Sequence, residues 1–344
     1  MRINERVVRA GAAGTAVAAT VPYLTLKVLW LTGHPVGAGD GAEMDKLWLL
    51  NLLTFGMDAI AVVLALSFVR PWGRRAPAGL VVFPMWVATG LLGTILVALP
   101  LFLLGNLVLG PEHRTVEEKP AQLGDWVFAV VYGGFTVQGL ALITAFVLYA
   151  RRRWAGLLRA RIGDLPDSPT LTVQRVLACV AALFALGVAA ARAYWSLGGT
   201  AGLPLALAEE YNRGIAVMDG VFAVMAVAVA VALPVLAFRV RPRRRLIVPL
   251  LVAWTAAGSL FGWGAWQVVA FGATTTRVPD LRHAVPGLMS LVQLAQVTTG
   301  LLVLIVGAMA LTERAAARTT TVPVPAPGPG PAAAVPTPDV ESPR

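Results

Sequence analysis

Eight long apolar runs decide what this chain can fold into: residues 10–31, 47–69, 80–109, 126–150, 175–198, 212–238, 246–271 and 286–311. A helix of about 20 apolar residues spans the roughly 30 Å hydrocarbon core of a bilayer, and every run reaches that length. Their interiors are rich in Ala, Leu, Val and Gly and lack the alternation of a strand. A backbone in lipid must satisfy its own hydrogen bonds, so helices follow. Only 13% of the residues are charged, about half the share of a soluble domain, which leaves too little polar surface to face water. The expected fold is all-α, a polytopic membrane bundle of eight spans with the lipid bilayer as its principal partner. The run 80–109 exceeds what a span needs, and Pro100 predicts a kink, a tilt or an extension beyond the bilayer.

Charge sets the orientation. Of the 28 Lys and Arg residues, twenty lie in the termini and in alternate loops, around residues 2–9, 70–75, 151–175, 239–245 and 314–344. Six lie in the other loops: Lys46, Arg114, Lys119, Arg213, Arg277 and Arg282. By the positive-inside rule both termini are cytoplasmic, in a bacterial plasma membrane. The outer loops are acidic instead (Asp40, Glu43, Asp45, Glu112, Glu117, Glu118, Asp125, Glu209, Glu210, Asp280) and hold His34, His113 and His283. The net charge of +10 is split into short clusters between apolar runs, which argues against a nucleic-acid partner. Cys179 is the only cysteine, so neither an intrachain disulfide nor a CxxC zinc site is available. No histidine falls in a run, which excludes a bis-His haem, and no phosphate-binding GxxxxGK[ST] is present. No cofactor and no metal site are expected.

The runs fall into two sets of four that repeat a pattern. KVLWLTG at 27–33 aligns with RAYWSLG at 192–198, 165 residues on. Met57-Asp58 aligns with Met218-Asp219 at an offset of 161, Trp86 and Gly90 with Trp254 and Gly258 at 168, and Gly139 with Gly300 at 161. RPWGRR at 70–75 matches RPRRR at 241–245. Shared Ala and Leu are cheap between apolar helices; shared Asp, Trp and basic positions are not. The expectation is two parallel four-helix repeats related by an axis along the membrane normal, unlike inverted-repeat transporters. Residues 1–162 form the first repeat, 163–174 a cytoplasmic linker and 175–314 the second. Residues 315–344 form a Pro-rich tail, expected to be disordered because Pro and Gly at that density cannot pack a core. Ahead of the linker, RRRWAGLLRARI extends the fourth helix or lies on the inner surface with Trp154, Leu157, Leu158 and Ile162 towards lipid.

Four formal charges fall in the interiors of the runs, away from their end residues: Lys27, Asp58, Arg192 and Asp219. An ionisable residue in a membrane marks a functional site by default. At about 1.5 Å per residue, Asp58 lies near the midplane and Lys27 within about 7 Å of its level, so Lys27 can pair with Asp58 and Arg192 with Asp219. The cations also have a simpler reading, in which they snorkel to the interface beside Trp30 and Trp195 acting as interface anchors. The aspartates are too short and too deep to snorkel, and must be paired, protonated or facing water.

The stretch AYWSLGGTAGLP at 193–204 resembles a Y-W-x-x-G-G element that ends the first helix in a group of small four-span membrane proteins from high-GC actinobacteria. The resemblance covers about a dozen residues of the second half; the first half carries LWLTGHPVG instead. It implies four helices per unit and carries no activity. Three functions compete. The first is binding or transport of a small molecule or ion between two pseudo-symmetric halves, with Asp58 and Asp219 facing the site. The second is a structural or regulatory role with internally paired charges. The third, less favoured, is an enzyme acting on lipid, for which no catalytic residue stands out.

Overall fold

A computed structural model describes residues 5–39, 48–110, 123–275 and 287–320. The Pro-rich segment from 321 onward, His113, His283 and most of the outer-loop acids lie outside these residues. Among the described residues the chain is all-helical, with only two isolated bridges, Ala38 with Leu123 and Arg161 with Arg245. Eight helices are long and apolar enough to cross a membrane: α1 (Glu5–Leu31), α2 (Trp48–Val69), α4 (Ala78–Leu109), α5 (Asp125–Arg153), α7 (Leu171–Ser196), α9 (Arg213–Ala237), α10 (Ile247–Thr275) and α11 (Gly287–Thr320). Short helices α3 (Pro71–Arg75), α6 (Ala155–Leu158) and α8 (Leu205–Glu209) lie between them. The chain is thus a multi-pass integral membrane protein.

The spans match the apolar runs closely in their interiors and outlast several of them at the ends. α1 starts at Glu5 and α11 continues to Thr320, so residues 315–320, expected in the tail, are helical. Their sequence, AAARTT, is rich in the best helix former. α4 is one helix of 32 residues containing both Pro84 and Pro100; at 1.5 Å per residue it is about 48 Å long, well beyond the hydrocarbon core. Large apolar side chains point outwards all along the bundle, among them Leu107 at 82% and Leu183 at 68% exposure. In water such a surface would drive association; in lipid it is matched by its solvent.

Helices α1, α2 and α5 pack as one group and α7, α9, α10 and α11 as a second, and α4 lies between them, packed more extensively against α10 than against α2 or α5. The second is the tighter. Its α7 presents Ala178, Ala181, Ala185 and Ala189 to Ala226, Val229 and Leu233 of α9. Small residues at helical spacing let backbones approach closely, which is the main source of packing energy where lipid removes the hydrophobic drive.

The groups meet where α4 crosses α10. Gly90 lies so close to Gly258 that a Cβ on Gly90 would sit 2.0 Å from the Gly258 carbonyl carbon. Around this contact Trp86 Nε1 donates to the Trp254 carbonyl (3.0 Å) and the Thr94 and Ser259 hydroxyls lie 2.6 Å apart. Trp86 and Trp254, like Gly90 and Gly258, are positions matched at the offset of 168, and here they touch each other. On the far side Arg213 donates to Asn106 Oδ1 and the Gly110 carbonyl, both at 2.8 Å, tying the start of α9 to the end of α4.

On the face bearing the basic loops, the segment after α5 does not spread over lipid as the sequence suggested. It turns back against the α9–α10 loop: Ile162 N donates to Arg244 O, Gly163 N to Pro242 O and Leu246 N to Ala160 O. Ala160, Ile162, Leu165 and Leu246 form a small core there, with Leu157 against it. Trp154 packs edge-on to Phe146 and Tyr149. The backbone groups of this segment find partners in the loop, and its apolar side chains follow them into the bundle.

Candidate functional site

Two matched helix ends set the geometry. α1 stops at Gly33 (φ +83°) and α7 at Gly198 (φ +96°), a conformation that glycine adopts without a Cβ penalty. His34 N donates to Leu29 O and Gly33 N to Trp30 O; Gly199 N donates to Tyr194 O and Gly198 N to Trp195 O. Both ends are therefore Schellman caps. Each capped turn brings a loop carbonyl over the last tryptophan: Trp30 Nε1 donates to Val36 O (2.9 Å) and Trp195 Nε1 to Ala201 O (3.0 Å). Trp30 and Trp195 are 7% and 0% exposed, because the loop supplies inside the protein the acceptor that the headgroup region was to provide. Lys27 and Arg192, one turn earlier, are buried as well, rather than reaching out of the bundle.

In the second half Arg192 joins all four spans. Rooted on α7, it donates from Nη1 to Asp219 Oδ1 on α9 (2.6 Å), from Nη2 to Gln267 Oε1 on α10 (2.7 Å) and from Nε to Gln296 Oε1 on α11 (3.1 Å). Its flat faces lie 5.3 Å from the Trp195 ring and 5.0 Å from the Phe222 ring. The Tyr211 hydroxyl sits 2.8 Å from Asp219 Oδ2 and 2.7 Å from the Trp195 carbonyl. Arg192 and Asp219 are 3% and 4% exposed. A guanidinium presents donors in a rigid fork, and this one is bound on both edges, stacked and sealed.

The first half holds the same pattern open. Lys27 Nζ donates to Asn51 Oδ1 (2.7 Å) and lies over the rings of Tyr23 (4.7 Å) and Trp30 (5.0 Å). No ion pair joins it to Asp58. Asp58 Oδ1 has one long contact, to Gln138 Nε2 at 3.5 Å, and Oδ2 is buried with no partner. Both residues line a cavity of 520 Å³ bounded by α1, α2, α4 and α5, with Trp263 and Trp266 of α10 closing one wall. Asn51, Thr54 and Gln138 add polar groups, and the rest of the wall is apolar and aromatic, from Tyr23, Phe83, Phe128, Tyr132 and Phe135 among others. Asp219 does not reach it. The structure therefore brings Arg192 and Asp219 together and leaves Lys27 and Asp58 apart, and the cavity is walled by α1, α2, α4, α5 and α10 without Arg192 or Asp219.

Tyr211, Gln267 and Gln296 close the Arg192–Asp219 pair; at the sequence offsets of 161, 168 and 161 stand the apolar Leu50, Leu99 and Phe135. Asn51 and Gln138 are the amides that meet Lys27 and Asp58, and Phe135 forms cavity wall. A lysine also has a point charge in place of a fork, and cannot bridge three helices at once. Sequence reasoning missed the amides. Asn51, Gln138, Gln267 and Gln296 all sit in apolar runs, and a neutral amide in hydrocarbon demands a partner much as a charge does.

Among the described residues no three His, Cys, Asp or Glu side chains converge as metal ligands. No protein-family model, curated protein or solved structure matches the chain, so the functional argument rests on this geometry.

Proposed function

We propose that the chain binds a small hydrophobic molecule carrying a protonated nitrogen, in the cavity of the first four-helix half. One observation carries this reading: a carboxyl group with an unpartnered oxygen in a 520 Å³ cavity whose largely apolar walls include eight aromatic rings. The volume is that of a site for a drug-sized ligand, and such sites are apolar with few polar groups that fix orientation. Oδ2 of Asp58 calls for a donor, and aromatic faces favour a cation over a neutral group. The closed Arg192–Asp219 arrangement supports a structural role for the second half, as a rigid wall against which α4 and the cavity are held.

The same reading takes the chain as two copies of a four-helix unit. The matched caps, the paired tryptophan–carbonyl bonds 165 residues apart and the contact of Gly90 with Gly258 support it. In this proposal the unit is akin to the actinobacterial four-span proteins, the basic face is cytoplasmic and both termini lie on it.

The test uses the purified full-length protein and a matched pair of probes, 2-phenylethylamine and 2-phenylethanol. Tryptophan fluorescence reports binding, since Trp30, Trp263 and Trp266 line the cavity. The amine should bind about tenfold or more tightly than the alcohol, a difference expected of one charge-assisted hydrogen bond, and Asp58→Asn should remove that preference. Equal binding of both probes, or a preference that survives Asp58→Asn, refutes the proposal.

A further inference from the structure

A second pocket, separate from the aromatic cavity, opens at the basic end of the first half. Its volume is 380 Å³, and six arginines line it: Arg6 and Arg9 from α1, Arg70 at the end of α2, Arg74 on α3, and Arg152 and Arg153 at the end of α5. Phe68 and Tyr149 contribute its apolar side. A basic inner face is general to membrane proteins, but a concave convergence of six guanidinium groups is not.

Elsewhere on this face carboxylates stand among the basic residues. Arg239 pairs with Asp167, the Asp164 carboxylate accepts from the Arg161 backbone N–H, and Glu313 accepts from Gln174 (2.8 Å) and from Thr170. The corresponding corner of the second half is covered by the segment around Ile162, which packs onto the α9–α10 loop. Among the described residues no comparable segment packs over this corner of the first half. Arg152 pairs there with the exposed Glu5 at 3.2 Å. Arg153 is held as a frame, donating to the carbonyls of Gly73 (2.9 Å) and Ala76 (2.7 Å) and to the Tyr149 hydroxyl. Arg9 Nε is buried with no hydrogen-bond partner. Six guanidinium groups converging on one concave site give it a strongly positive character.

We infer that this pocket is a binding site for a phosphate-bearing anion. Guanidinium forks match phosphate oxygens two at a time, and the pocket is large enough for a diphosphate or a phosphodiester headgroup with its glycerol. The site lies where α1, α2 and α5 leave the bilayer, so the phosphate comes either from an acidic lipid of that leaflet or from a soluble phosphate compound. Basic pockets between spanning helices bind acidic headgroups by this chemistry. The inference does not depend on the amine-binding reading of the cavity.

The full-length protein is tested in two arms. In the first it is placed in phosphatidylcholine bilayers with or without phosphatidylglycerol, and retained lipid is counted by native mass spectrometry after extraction. In the second, inorganic pyrophosphate is titrated into protein in neutral detergent. Arg9→Gln/Arg74→Gln should weaken binding about tenfold or more, as expected for loss of two charge-assisted contacts. Arg243→Gln/Arg245→Gln, on the other basic loop, should leave it unchanged. Arg70→Gln alone, at an exposed position, gives a smaller loss and guards against a folding defect in the double variant. Retention of phosphatidylglycerol that pyrophosphate displaces assigns the site to a lipid headgroup. Pyrophosphate binding without lipid retention assigns it to a soluble phosphate. Binding in neither arm, or equal losses in the two double variants, overturns the inference.

Discussion

Asp58 and Asp219 occupy matched positions, yet their replacement by asparagine should have opposite consequences. Asp219 holds Arg192 through a 2.6 Å ion pair at a site 3–4% exposed. Removing one partner of a buried pair leaves the other charge uncompensated and costs about 3–5 kcal/mol. Asparagine keeps one acceptor for the guanidinium, so Asp219→Asn should fall near the lower bound, about 3 kcal/mol. Asp58 has one 3.5 Å contact and an oxygen with none. Exchanging it for a neutral amide removes a poorly satisfied buried group, and a change between zero and about 1 kcal/mol of stabilisation follows. The difference between the variants is more than about a hundredfold in the unfolding equilibrium. Reversible unfolding in mixed micelles of mild detergent and dodecyl sulfate, followed by circular dichroism, measures it. Replacing both partners, Arg192→Met with Asp219→Leu, should recover part of the loss because no charge is left buried. If the two single variants agree within about 1 kcal/mol, or if Asp58→Asn is the worse, the contrast between a sealed and an open half is wrong.

Other consequences can be checked separately. Gly90→Val places its Cβ 2.0 Å from the Gly258 carbonyl carbon; backbone meets backbone, no rotamer relieves it, and a loss of about 3 kcal/mol or more is expected in the same unfolding assay. Ala88→Leu adds side-chain volume to the cavity wall between α4 and the aromatic rings, and should raise stability by about 1 kcal/mol while abolishing binding of 2-phenylethylamine. Cys179 is exposed on α7, about 12 Å along the helix from Leu171, so in intact membranes it should resist N-ethylmaleimide, because a thiol facing hydrocarbon stays protonated and the thiolate is the nucleophile. Rapid labelling would place that face of α7 in water.

The sequence by itself determined the spans. A backbone in lipid has no solvent to bond with, so an apolar run of about 20 residues leaves helix as the only local solution, and α2 begins and ends within one residue of its run. The glycines that stop α1 and α7 were legible for the same reason, since a left-handed cap is a local requirement. Local chemistry likewise singled out Lys27, Asp58, Arg192 and Asp219 as groups that need partners. Which partners they have was decided elsewhere, by residues far along the chain. Arg192 is completed by Gln267 and Gln296, on helices that begin more than fifty residues later, and at the same sequence offsets the first half carries the apolar Leu99 and Phe135. No offset between repeats states that consequence, because an amide in an apolar run reads as a minor exception until the helices around it are in place. The same holds for Trp30 and Trp195, whose indole acceptors come from loops that fold back over them. Reach across the bundle, rather than the identity of any one residue, closed one half and left the other open.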